Sequence, residues 1–566
     1  MEPTNRRSTG GSRPSALKRY GPLLAIVVVI AVAVVVFLAV GGGGDEDSTT
    51  PTTGGSTGGD GPVVINDSNR DSIDWGPTCD VERGRVAVPL TWSPPCVEPF
   101  PENGDNGGAT TQGVTADSIK VVVYQGDPSK NPLQVAQISG AGADAGELET
   151  AAETYRGFFE ILSQYYELYG RKFDLTFFKS TGGPMDEVAA RNDARAIADM
   201  KPFAVLNGAN QTPAWSDEIV ANGMMCIGYC SLAVPQAFVA EHSDQMFGLG
   251  PTPEQAALLT ARFITNLLKD RNAEYAGEAL QNTKRKFGVV HYDTVDGQQK
   301  EAFAALENAL EDGGVEIAAD LPFLLDLARA QENARTMIAR LKDAGVTSVI
   351  FTGDPLMPKY LTEEATAQDY FPEWIIGSNV LVDIALFGRT YDQQQWQHAF
   401  GLALTAARGT QDAQESFNLY QWGLGTEPPN NTYGVIFGDL FPLFTGIHMA
   451  GPNLTPETFQ AGWNRYPVSG GTPTIPRQSR GHHGLWPGTD YGGSDDAGIL
   501  WWNPDAEGED EVGEVGKGLY AYASMGKRWT LEELPKQDPG LFDPARSVTI
   551  FTKVPDPPPT YPSPAK

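Results

Sequence analysis

Between Val114 and about residue 400 the chain repeats one unit, and this repetition limits the fold more than any other feature. A short β-branched or aromatic run is followed by a polar turn and then by a stretch of helical spacing. Ile119–Tyr124 is the first such run. Leu148, Ala152, Tyr155, Phe159, Leu162, Tyr166 and Tyr169 then recur at helical spacing, and Gly170 ends the helix. Phe173, Leu175 and Phe177 alternate as a strand does; a helix over 186–200, a strand over 203–207, a helix over 213–222 and a strand over 224–228 follow. A second series starts near Met246. Thr252, Pro253 and Gln255 supply an N-cap, a helix-opening proline and a capping-box partner for a helix over 253–269. Strands are expected at 286–292, 315–319, 347–352 and 374–378, with helices between them closing at Gly313 and Gly345. Strands alternating with helices of this length build right-handed βαβ units, so the expectation is α/β with two Rossmann-like lobes and parallel sheets. Beyond residue 400 the spacing predicts helices over 413–424, 431–449 and 455–466, a Gly/Pro-rich stretch at 467–500, and short aromatic strands at 500–503 and 519–530.

The N-terminus has a different character. Arg6, Arg7, Arg13, Lys18 and Arg19 face only Glu2, and Pro22–Val40 is then apolar without a charge. Nineteen residues of helix reach roughly 28 Å, enough for a hydrocarbon core. Positive charge on that flank keeps residues 1–21 cytoplasmic and puts the rest outside, a single-pass anchor at the cell membrane. A cleaved signal peptide is the alternative. Gly41–Pro62 reads as a flexible linker, 63–112 as an N-terminal extension, and 536–566, with PDPPPTYPSP, as a disordered Pro-rich tail. The net charge of −30, with no basic cluster after the tail, excludes nucleic acid as a partner.

Four cysteines suit an oxidising compartment. Cys79 and Cys96 lie 17 apart, and Cys226 and Cys230 four apart, so two local disulfides are expected. A zinc half-site is the alternative for the second pair, although no obvious second half accompanies it.

No nucleophile elbow, HExxH, P-loop or paired CxxC stands in the sequence. The run SGAGADAG at 139–146 lacks dinucleotide-loop spacing and reads as a loop. His482–His483 and Asp495–Asp496 offer a metal little beyond adjacency. No enzyme activity, cofactor or metal is called for. Open α/β sheets bind ligands beyond the carboxyl ends of their strands. That rule selects Asn210, Gln211 and Thr212 after one strand, and Tyr229 and Ser231 after the next. In the second series it selects Thr294 and Asp296, Asp354, and Ser378 and Asn379. Their amide, hydroxyl and carboxylate groups suit a small polar solute.

The segments GVTADSIKVVVYQ, LYGRKFDLTFFKSTGGPMDEVAARNDARAIADMKPFAVLNGANQTPAWSDEIVANGMMCIGY, RKFGVVHYDTVDGQQKEAFAALENALEDGGVEI and ARLKDAGVTSVIFTGDP resemble, in order and spacing, the type I periplasmic-binding (branched-chain amino acid-binding) solute-binding proteins of ABC transporters. The resemblance covers roughly 113–470, with fainter echoes to about 535. It implies two lobes with the chain crossing three times: 113–246 and 400–470 in one, 247–399 and 471–535 in the other. It puts Asn210 and Gln211 where the family holds a ligand carboxylate, with Tyr229 and Ser231 completing that grip. Asp296 stands where an aromatic usually covers the ligand. Ser378 or Asn379 stands near the acidic residue that pairs with an amino group. Both positions depart from the family, so amides, urea-like compounds, small peptides and aromatic acids stay open beside amino acids. The resemblance implies a solute-binding protein that hands its ligand to an ABC permease. The alternative is a ligand-sensing ectodomain or cell-surface scaffold acting through a partner.

Overall fold

The computed structural model of the protein describes residues 61–127, 146–183, 186–206, 213–228, 234–293, 300–324, 329–377, 381–511 and 514–565. The basic tail, the apolar run and residues 41–60 of the linker lie outside these residues. Among the described residues no helix is long and apolar enough to cross a membrane.

The first series forms a sheet of β1 (Ser118–Gln125), β2 (Lys172–Lys179), β3 (Ala204–Leu206), β4 (Met225–Ile227) and β5 (Met246–Phe247). All its pairings are parallel, in the order β2-β1-β3-β4-β5. Helices α1 (Gly146–Leu162), α2 (Glu187–Ala198) and α3 (Pro213–Ala221) connect the strands. The continuous valine run of β1 reflects burial on both faces. Val121 and Val123 enter one hydrophobic core, while Val122 and Tyr124 enter another on the opposite face.

The second series opens with α4 (Pro253–Phe263), where Thr252 and Gln255 form the expected capping box. It continues through β6 (Phe287–Tyr292), α5 (Lys300–Asp312), β7 (Ile317–Phe323), α6 (Ala330–Asp343), β8 (Ser348–Thr352), α7 (Met357–Ala367), β9 (Glu373–Ile376) and β10 (Ala399–Ala403). These strands pair in parallel in the order β7-β6-β8-β9-β10. Helices α8 (Glu415–Leu424), α9 (Tyr433–Ala450) and α10 (Pro456–Arg465) then return to the first lobe. There α9, apolar on nearly every side, is buried against the first sheet.

The expectation of purely parallel sheets needs correction in the second lobe. β11 (Asp496–Glu509), β12 (Val515–Tyr522), β13 (Arg528–Thr530) and β14 (Ser547–Val548) extend that sheet in antiparallel fashion from β10. Only residues 510–514 connect β11 to β12, far too few for a parallel crossover, so the pair must be a hairpin. Alternation along β11 sends Leu500 and Trp502 into one core and Ile499 and Trp501 into the other.

The tail also departs from the expectation. Residues 536–565 are packed against the body without forming long elements. Val548 pairs with Tyr522, and Phe551 exchanges backbone hydrogen bonds with Arg408 and Thr410. The Tyr561 hydroxyl donates to Asp80 and accepts from Arg83, both at 2.7 Å. A proline-rich composition removes amide donors but leaves carbonyls and side chains free to dock.

The extension carries the Cys79–Cys96 disulfide, and Cys226 is also disulfide-bonded. The stretch PENGDNGGATTQG is irregular but pinned. The buried Arg171 donates to the carbonyls of Thr115, Pro452 and Asn106, and Asn106 donates to those of Ala116 and Tyr169. His448 on α9 completes the joint. Its Nδ1 accepts from the Glu167 amide at 2.8 Å, and its Nε2 donates to the Pro95 carbonyl at 2.9 Å. Acceptance at Nδ1 requires the neutral ring, whereas the Nε2 contact is open to either form.

Between the lobes the chain passes at 248–252, 404–414 and 466–495. These passages are laced together. Gln478 and Ser494 donate to the Leu249 carbonyl at 3.2 and 3.0 Å, and the Gly493 amide donates to Gly250. Arg528 pairs with Asp496 at 2.7 Å, each side chain 1% exposed. Its other nitrogens donate to the carbonyls of Leu404 and Thr405.

Two outcomes are expected. Arg528→Met leaves Asp496 buried without its counter-ion and should lower unfolding stability by about 3–5 kcal/mol in urea titration; a loss under about 1 kcal/mol would contradict this pairing. For His448, burial pushes the imidazole down to about 4. The unfolded ring protonates near 6.5 and the native ring only near 4, so stability is full above about pH 6.5 and falls by about 3 kcal/mol towards pH 4. His448→Gln should remove about one proton from that slope, measured by denaturation at several pH values.

Candidate functional site

In an open α/β sheet the carboxyl ends of the parallel strands define where a ligand would sit. Asn210, Gln211 and Thr212 stand in sequence between the end of β3 at Leu206 and the start of α3 at Pro213. The loop with Tyr229 and Ser231 leaves β4 at Ile227. The loop with Thr294 and Asp296 follows β6, and Ser378 and Asn379 follow β9. All nine of these residues, and Cys230, lie outside the described residues. What the structure gives is the frame that carries their loops.

Asp354 is the predicted residue that is described. It follows β8 and faces inward. Its Oδ1 accepts from the amides of Leu356 and Met357 at 2.8 and 3.0 Å, capping the start of α7. Its Oδ2 is buried without a partner among the described residues, and burial pushes the carboxyl up to about 6.

Beneath the strand ends lies a set of buried polar side chains. Asp439 comes from the middle of the apolar helix α9, accepts the Tyr155 hydroxyl at 2.7 Å, and abuts Gly228 at the end of β4. Gly228 has φ +86°, and a Cβ there would meet Asp439 Oδ1 at 1.7 Å. Position 228 therefore admits only glycine while Asp439 stands below it. Near the ends of β1 and β2, Asp193 on α2 accepts from the Tyr124 hydroxyl and from both the amide and the hydroxyl of Thr181. Tyr124 also packs on Trp215, the third residue of α3, at 4.3 Å between ring centroids. In the second lobe His291, on β6, contacts Asp320 at 2.8 Å and stacks on Phe303 at 3.7 Å. Beyond β9, Asp383 accepts from Thr405 at 2.9 Å, and burial pushes it up to about 6. Glu511, from the β11–β12 connection, accepts from the amides of Ala385 and Leu386 and lies 3.2 Å from Arg408.

Of these residues, Asp439 left the clearest trace in the sequence: it is the sole carboxylate between Tyr433 and Ala450. The pairs Asp193–Tyr124 and Asp383–Thr405 join residues far apart in the chain and left no local signal.

Three of the four residues weighed for a metal have other partners. Asp495 accepts from Ser479 and Trp486, Asp496 is held by Arg528, and His482 contacts Thr489. Among the described residues no group of three or more His, Cys, Asp or Glu could hold a metal ion. A cavity of about 300 Å³ does exist, lined by residues that include Trp75, Thr78, Tyr166, Arg171 and His448. It lies between the extension and the first lobe. Arg171 immediately precedes β2, so this cavity is at the amino edge of the sheet, opposite the strand ends.

This two-lobed α/β arrangement, one sheet parallel and one mixed, resembles solved structures. The leucine-, isoleucine-, valine-, threonine- and alanine-binding protein from Brucella ovis, in its closed conformation, superposes with a TM-score of 0.50 at 12% identity, covering 77% of this chain and 100% of its own. The fold is the type I periplasmic-binding fold. A solute-binding protein of an ABC transporter from Rhodopseudomonas palustris HaA2, in complex with p-hydroxybenzoic acid, gives 0.47 at 12% identity, covering 74% and 98%. No family model and no curated protein matches the sequence. About a quarter of this chain lies outside the superposition with the Brucella protein.

The contact between Gly228 and Asp439 can be tested against a matched control. Gly223 has φ +69°, and a Cβ there would meet nothing within 4 Å. Gly223→Ala should cost about 1–2 kcal/mol from backbone strain alone. Gly228→Ala adds overpacking of about 1–3 kcal/mol. Equal losses in parallel urea titrations would show that Asp439 does not crowd position 228.

Proposed function

We propose that the protein is an extracytoplasmic solute-binding protein, which captures a small polar solute between its lobes and passes it to an ABC permease. The observation that carries this reading is the type I periplasmic-binding fold, shared with an amino acid-binding protein across that protein's whole length. The physical argument agrees with it. Two parallel sheets present strand ends where loops with free backbone donors and acceptors can surround a ligand. Hinged lobes close on a ligand without catalytic groups.

The solute class follows from the loop chemistry: Asn210, Gln211, Thr212 and Ser231 offer hydrogen bonds without net charge. Such a set suits an amino acid, an amide or a similar polar molecule. We further propose that residues 22–40 anchor the chain in the cell membrane, with residues 1–21 in the cytoplasm and the body outside. The linker then lets the domain swivel near the permease.

A thermal-shift screen of residues 61–566 against amino acids, amides, polyamines, short peptides and aromatic acids tests the reading. A solute at about 100 times its Kd should add about 2.7 kcal/mol of stability. Asn210→Ala and Ser231→Ala should each weaken that solute's binding by about tenfold or more, the worth of one hydrogen bond to a polar ligand. A folded domain that responds to no solute class would instead favour a scaffold acting through a partner.

A further inference from the structure

Residues 534–565 take a path that the solute-binding reading does not call for. The path begins on the second lobe, where the Leu534 and Lys536 carbonyls accept from Asn266 and Arg271. Phe542 then packs between Tyr275, Trp501 and Phe400. Val548 adds to the edge of the second sheet, and Trp501 donates to Ser547. The chain next runs beside the 404–414 passage, where the Phe551 amide donates to Arg408 and its carbonyl accepts from Thr410, both at 2.8 Å. It ends on the first lobe. The Trp422 indole, on α8, donates to the Tyr561 carbonyl at 3.0 Å, and Ser563 donates back to the Trp422 carbonyl at 2.6 Å. The Tyr561 hydroxyl ties the same point to Asp80 and Arg83 of the extension.

Residues 552–560 separate these two anchorages, and Pro557, Pro558 and Pro559 fill most of their second half. Three consecutive prolines fix φ and make the segment a semi-rigid spacer rather than a slack cord. A spacer of that kind, fixed at both ends, transmits strain when the lobes rotate. We infer that the C-terminal segment is a brace across the hinge, a fourth chain passage that restricts the mutual rotation of the lobes. Its lock is Tyr561, which meets the first lobe and the extension together, so the extension takes part in holding the lobe angle. The brace acts on the protein with or without solute, and the inference stands apart from the identity of any ligand.

Distance measurements between paired spin labels test it directly. Val188 on α2, 72% exposed, and Glu307 on α5, also exposed, report on the first and second lobes. Val188→Cys and Glu307→Cys are introduced together in the chain, and pulsed dipolar spectroscopy reads the distance distribution without added solute. The full-length protein should give a narrow distribution. Tyr561→Ala, and separately truncation after Thr552, should widen it by about twofold as the spacer becomes free at one end. Should the truncated chain fail to fold, Pro557→Gly combined with Pro558→Gly and Pro559→Gly keeps the length and softens the spacer, and the same widening is expected. Unchanged widths in the variants that fold would overturn the brace. Because no solute is used, a failure here leaves the solute-binding reading untouched, and a silent thermal-shift screen leaves the brace untouched.

Discussion

The guanidinium of Arg528 is the point on which the two-lobed arrangement turns. It is buried with Asp496 and reaches the backbone of the 404–414 passage through the carbonyls of Leu404 and Thr405. A buried charge persists only where a counter-charge and hydrogen bonds replace its water. Asp496 opens β11 and Arg528 opens β13, so the pair also fixes where the antiparallel extension begins. The third passage meets the first through Gln478, Ser494 and Gly493. Arg480 binds the first lobe at Ser243 and stacks on Phe247, while Asp490 holds Gln255 at the head of α4. The crossings therefore form one laced unit, with directional polar contacts where a simple hinge would have bare backbone.

Around that unit the lobes are built on ordinary hydrophobic burial, each with a core on both faces of its sheet. The additions to this plan are polar at their joints. The extension is held by Arg171 and by the neutral ring of His448, and the tail is held by Phe551, Tyr561 and Ser563. Polar joints of this kind fix geometry more than they add stability, because each exchanges a protein partner for water. They also make the additions sensitive to pH where a histidine takes part.

The frame of the candidate site is partly legible in the sequence and its contacts are not. Strand and helix periodicity locates the loops after β3, β4, β6, β8 and β9 within a few residues, because a buried parallel strand must be a short apolar run. For Asp354 the polar type points to a ligand contact, and one carboxylate oxygen also caps the start of α7. An aspartate just before a helix serves either role, and sequence cannot separate them. Asp439 stays hidden because a lone carboxylate in an apolar helix announces burial without naming its neighbours. Gly228 and Tyr155 become its neighbours only once α9 has packed against the first sheet.

The sequence by itself determined the two βα series, the helices α8 to α10 and the capping box at Thr252 and Gln255, because these depend on period and on neighbours a few residues away. It also carried the 17-residue spacing that the Cys79–Cys96 disulfide uses. Tertiary structure alone decided the mixed character of the second sheet, the pairing of Arg528 with Asp496, and the docking of a proline-rich tail that composition marks as loose. Except for the β11–β12 hairpin, these join residues from tens to hundreds of positions apart. Local propensity has no bearing on such contacts, and only the packing of preformed elements brings the partners within hydrogen-bonding distance.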